Sequence, residues 1–444
     1  MGGHDPSPPP RPDLDPSFRL PSRLVLGLAA GLLPGALPGA EEGAISFEAT
    51  GLDQPNALFI AELSGGGAPE VAVSDRAGRL VVFDSASGLV VARLQRPDGL
   101  ALTAPVVGEF LGNGALQVAV GNVDGVVALY WGSDLALLGE ARFPGSSFVG
   151  DPSAFALPPV PGEAPRDTLV LADSRGRIHA LRADEQGRLR LLWEPVAPAA
   201  PLATPVTVGS IREQGRPHML AATLAGELVI VDPATGEAQA ALLRERQRPV
   251  GALVVQDISG DGRDEVIVAL ESGEVLARQW DDEAGAAMTG ALRDLWSTRL
   301  AWPASADPVL VQHPARGGEG LLFIPHQGGL TVLDAQDGTL AGSASTRFAP
   351  EVSSQLAVLA HPEKPPSLLF AAGRTLLRLE TAAFFTGEPA PDPRAWRLGQ
   401  RLTGPIGLAQ VRQPDGSQRT HAIAASSSGR LLIAALPGGE ESPE

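Results

Sequence analysis

The chain has 444 residues, 44% of them hydrophobic, with 52 glycines, 41 prolines and no cysteine. That hydrophobic share excludes a disordered chain, and the missing cysteine excludes disulfides, Cys-ligated zinc, a thiol nucleophile and a lipid-bearing cysteine. The formal net charge of −17, with no basic run, argues against nucleic acid and against an anionic membrane surface as partners.

Residues 1–23 are Pro-rich and polar, and residues 24–40 open on an apolar stretch, LVLGLAAGLLPGAL. This stretch is short for a membrane span and matches the apolar part of a secretory signal. Export to the periplasm or the cell surface is therefore expected, with membrane contact only through an uncleaved lead. Residues 44–50, AISFEAT, then alternate apolar and polar like a strand with no unit of its own.

From there proline sets a period. Pro55, Pro105, Pro152, Pro205, Pro249, Pro308, Pro350 and Pro405 each open an apolar run, 42 to 59 residues apart. Proline lacks the N–H of a ladder, so it is tolerated at the first position of a strand. Second strands are expected from Glu70, Gln117, Thr168, His218, Glu265, Gly320, Ser367 and Thr420. Glycine turns follow at Gly78, Gly125, Gly176, Gly226, Gly273, Gly328 or Gly329, Gly373 and Gly429, and then a third strand. Asp84, Asp232 and Asp334 begin Asp-x-x-x-Gly turns into a less regular fourth strand.

Eight four-stranded units at this period predict an all-β, eight-bladed β-propeller over residues 44–436, with residues 437–444 as an acidic tail. The last unit runs out after its third strand. The strand at residues 44–50 is expected to complete that blade and close the ring, leaving no open edge there.

The segments GELVIVDPATGEA from Gly226, GLTVLDAQDGTL from Gly329 and GRLVVFDSASGLV from Gly78 resemble the repeat of pyrroloquinoline-quinone-like propellers. That grouping holds quinoprotein dehydrogenases and non-catalytic BamB-type envelope propellers. The dehydrogenases use a tryptophan platform and a vicinal cysteine pair. The cysteines are missing here, and Trp193, Trp296 and Trp396 fall near fourth strands, where packing between blades is their expected role. No quinone cofactor is expected.

The segment DISGDGRDE, residues 257–265, resembles the loop of FG-GAP and VCBS repeats. The resemblance implies calcium held by Asp257, Ser259, Asp261, the carbonyl of Arg263, and Glu265, a set of hard oxygens suited to that ion. The loops ELSGGGAPE at Glu62 and EFLGNGALQ at Glu109 keep the spacing with fewer carboxylates. The histidines show no ligand spacing, and His179, His218 and His421 are expected as satisfied, partly buried side chains. Asp151, Arg248 and Asp307 precede strand-opening prolines and are expected at one mouth of the central channel.

The function expected is a monomeric, non-enzymatic scaffold of the bacterial cell envelope that binds a protein partner. Long connections at residues 158–167, 281–294 and 386–395 are its expected recognition elements. The alternatives are a calcium-binding FG-GAP-type adhesion or pilus-associated module and, third, a quinone-dependent or polysaccharide-acting enzyme.

Overall fold

The computed structural model describes residues 47–49, 52–148, 150–157, 165–281, 292–315, 319–345, 352, 354–360, 364–388, 393–397, 401–412, 417–426 and 428–436. The polar lead, the signal-like stretch and the acidic tail lie outside them.

Eight antiparallel sheets of four strands follow one another along the chain. Blade 1 is Pro55–Ala61, Glu70–Asp75, Arg79–Asp84 and Val90–Gln95, paired in that order from the inside outwards. Blade 5, Pro249–Gln256, Glu265–Leu270, Glu274–Trp280 and Leu292–Arg299, repeats the plan. First strands of successive blades approach one another, so they form the inner ring.

The second strands explain why their sequences read as unbroken apolar runs. A blade is covered on both faces, and alternate residues of a strand point to opposite faces. Val71 and Val73 pack with Ala409, Val411 and Ile423 of the last blade, while Ala72 packs with Val107, Val118 and Val120 of the second. Eight apolar clusters fill the eight contacts between neighbouring blades. The one joining blade 8 to blade 1 is built like the others.

Blade 8 combines Leu402–Arg412, Gln418–Ser426 and Leu431–Ala435 with Phe47–Ala49 as its outer strand. Phe47 faces Ile433 and Ala49 faces Leu431 in antiparallel register. Both chain ends thus contribute to one sheet.

The proline rule needs one correction. Pro55 and Pro249 are first residues of their strands, but Pro405 lies inside Leu402–Arg412. Pairing there shifts between Leu402 and Ile406, and such an irregularity spares Pro405 a ladder hydrogen bond. Pro350 lies outside the described residues.

The Asp-x-x-x-Gly turns are as expected. Asp84 Oδ1 accepts from the Ser87 N–H, Asp232 Oδ1 from the Ala234 N–H and Asp334 Oδ1 from the Gln336 N–H. Their glycines have a second purpose. A Cβ on Gly236 would lie 2.6 Å from the ring of Trp193, on the preceding blade's side, and one on Gly338 would lie 2.5 Å from the ring of Trp296. Trp193 Nε1 donates to Pro233 O at 3.3 Å and Trp296 Nε1 to Ala335 O at 2.9 Å, so each indole bolts a blade to the next blade's turn. Trp396 is buried in the cluster between blades 7 and 8. A one-turn helix, Ala382–Thr386, is an addition the strand pattern does not announce. Its Phe384 meets Phe323 of blade 6 edge to face at 5.5 Å.

Candidate functional site

The loop at residues 257–265 joins the first and second strands of blade 5. Asp257 accepts through Oδ1 from the Gly260 N–H and through Oδ2 from the Gly262 N–H, at 2.6 and 2.9 Å. Glu265 is fully buried, and its Oε2 accepts from the Ile258 and Ser259 amides at 2.8 and 3.1 Å. The Ser259 hydroxyl donates to Glu265 Oε1 at 2.8 Å. Asp261 accepts from the Arg263 N–H at 2.8 Å and from Gln279 Nε2 at 2.7 Å, with the Arg263 guanidinium 3.6 Å away.

Burial, the largest influence, pushes the Glu265 carboxyl above its ordinary range against the pull of its donors; the Asp261 charge adds to the rise. The acidic residues of the loop are therefore brought together in sequence but spent on N–H donors. Among the described residues no three His, Cys, Asp or Glu side chains form a group able to hold a metal. As arranged, the five residues do not fit a calcium ion: the carboxylates of Asp257, Asp261 and Glu265 face separate N–H donors, the Ser259 hydroxyl donates to Glu265, and the side chains do not gather around one centre.

Two other blades contain the same device. In blade 1, Glu62 Oε1 accepts from the Gly67 N–H, and Glu70 takes the Leu63 N–H at 2.7 Å and the Ser64 hydroxyl. In blade 2, Glu109 Oε1 accepts from the Gly114 N–H, and Gln117 Oε1 takes the Phe110 and Leu111 amides at 2.7 and 3.1 Å. In all three loops glycines at the fourth and sixth positions have positive φ, Gly260 and Gly262 at 78° and 87°. The backbone curls so that its amides face one buried acceptor. A neutral Gln does in blade 2 what Glu does in blades 1 and 5.

His218 and His421 occupy equivalent places in second strands, five residues before the turn into the third; His218 opens its strand and His421 is the fourth residue of Gln418–Ser426. His421 Nδ1 lies 2.9 Å from Ser85 O of blade 1. His218 departs from expectation. It is buried, and its Nδ1 has no hydrogen-bond partner among the described residues. His179 is also buried, between the rings of Phe143 and Phe148, with Nε2 3.3 Å from Asp173 Oδ2 and Nδ1 unpartnered. Burial holds both imidazoles below their ordinary pKa.

On the opposite face, Asp307 binds three blades together. Its Oδ1 accepts from the Ala252 N–H at 2.7 Å and its Oδ2 from the Gln355 side chain. Asp151 lines a cavity of about 320 Å³ with Asp173 and Thr204. Desolvation first, and then the Asp307 charge, raise its pKa. Arg248 is exposed, its carbonyl accepting from the Glu271 N–H. Residues 158–164, 282–291 and 389–392 of the long connections lie outside the described residues.

No family model matches the chain, and no curated protein matches it. Solved structures do. Sqt1 of Saccharomyces cerevisiae superposes with a TM-score of 0.63 at 12% identity over 90% of this chain and 100% of its own. BamB from Moraxella catarrhalis gives 0.57 at 12% identity over the same shares. BBS1N, solved in complex with ARL6DN, gives 0.51 at 13% identity over 88% of this chain and 96% of its own. At such identities the likeness shows the β-propeller fold alone.

Proposed function

We infer that the chain is a non-enzymatic protein-interaction scaffold of the bacterial cell envelope. The observation that carries this reading is the set of exposed apolar side chains where the outer strands of blades 1 and 2 begin. Leu89 is 70% exposed, Leu137 58%, and Val90 and Val91 are also exposed. Large apolar side chains exposed beside unpaired outer-strand edges favour a protein partner. Rigid blades locked by apolar clusters and indole bolts present that edge without reorganisation, which favours association. One structural neighbour, BBS1N, was solved with a protein bound. The envelope assignment draws on the apolar stretch at residues 24–37 and on the likeness to BamB.

The test is site-specific photo-crosslinking in cells at residue 137, with the exposed Leu340 of blade 6 as control position. One discrete adduct from position 137, lost in Leu89→Glu and absent from position 340, is expected. Equal or no labelling at both positions would overturn the reading.

A further inference from the structure

Blade 4 breaks the rule followed by the loops of blades 1, 2 and 5. Its connection between Thr207–Gly209 and His218–Ala222 has one positive-φ glycine, Gly215, instead of two. Its amides do not turn onto the residue that opens the second strand. That residue is His218 rather than Glu or Gln, and a cavity of about 450 Å³ stands beside it.

The cavity has two unlike walls. Arg212, Arg216 and His218 come from the loop and the second strand; Asp232 and Glu237 come from the turn into the fourth strand, with Gln239 beside them. Arg216 crosses to Asp232 at 2.9 Å and lies 3.8 Å from Glu213. Arg212 lies over the Trp280 ring, its Cζ 4.3 Å from the centroid, and donates to Gln239. A guanidinium fixed in this way is aligned before any ligand arrives. Beside it lies the buried His218 imidazole with its unpartnered Nδ1.

We propose that this cavity binds a small zwitterion, an amino acid or short peptide, with its carboxylate at Arg212 and His218 and its ammonium at Glu237. A bare anion would meet the carboxylates of the turn, and a bare cation would meet the guanidiniums. A ligand carrying both charges satisfies both walls. The volume suits a small molecule of this class. The cavity belongs to blade 4 and shares no residue with the exposed edges of blades 1 and 2.

The experiment follows the His218 imidazole by NMR in the full chain, its signal assigned through His218→Gln. Glycine and triglycine are titrated as zwitterions, with acetate and ethylammonium as single-charge controls. Saturable movement of the His218 signal by glycine or triglycine is expected, with the controls about tenfold weaker. Arg212→Met should abolish the response. Glu237→Gln, a change on an exposed turn, should leave folding intact and weaken the zwitterion about tenfold. No movement with either zwitterion, equal movement with acetate, or an unchanged response in Glu237→Gln would overturn the proposal.

Discussion

The loops of blades 5 and 2 differ in the buried acceptor that closes them. Each places two positive-φ glycines so that backbone amides converge on a buried side chain. In blade 5 that side chain is Glu265, and in blade 2 it is Gln117. Gln117 also donates through Nε2 to Ala115 O at 2.6 Å, a bond Glu265 has no proton to make when ionised. Hydrogen-bond geometry, common to both, is therefore what shapes the loop. The charge is an extra carried by blade 5 at a desolvation cost. Blade 4, where His218 replaces the acceptor, shows the outcome without that geometry: a loop that stands open over a cavity.

The largest effect is expected from removing the acceptor itself. Glu265→Ala and Gln117→Ala each strand two buried amides and should destabilise the protein by about 2–4 kcal/mol in chemical unfolding. Losses of similar size at both positions would confirm that the two loops are one device; a large loss at Glu265 alone would separate them.

A smaller change, of opposite sign, is expected from Glu265→Gln. The folded-state pKa of Glu265 is raised, so its contribution is fully present below the unfolded value of 4.5 and is lost as pH rises through the folded pKa. The variant lacks this loss. Its unfolding midpoint at pH 7 should exceed that of the parent, and the gap should close as pH falls toward 4.5. A parent that is the more stable at pH 7 would show that the charge is needed.

The buried histidines act on the acid side. His179 and His218 have folded pKa values below the ordinary 6.5. Their contribution is complete above 6.5 and is lost as pH falls through the folded values. The unfolding midpoint should therefore decline below pH 6.5, and His218→Gln should shallow that decline. An unchanged slope would place the acid sensitivity elsewhere.

Most of the fold could be read from punctuation. Glycine at Gly78, Gly125, Gly176 and Gly226 marks a backbone conformation few other residues adopt, and second strands covered on both faces read as unbroken apolar runs. Pro405 escaped the pattern because a pairing shift admits proline inside a strand. The helix around Phe384 escaped because five residues carry no periodicity. The segment from Asp257 to Glu265 joins two strands, and composition does not reveal whether its carboxylates face a common centre or their own amides. The blade 4 cavity carries no motif of its own, since its lining comes from a loop, a strand and a turn separated in sequence. Setting Glu70, Gln117 and Glu265 beside His218, with the single glycine of its loop, was the signal available.

The most direct test of the account is calorimetric unfolding of the full chain in excess calcium and in chelator, with Glu265→Gln and Asp261→Ala in parallel. Loops shaped by their own amides predict one midpoint for the parent in both solutions, with Glu265→Gln no less stable than the parent. A midpoint that rises with calcium in the parent, and no longer does so in Asp261→Ala, would contradict it.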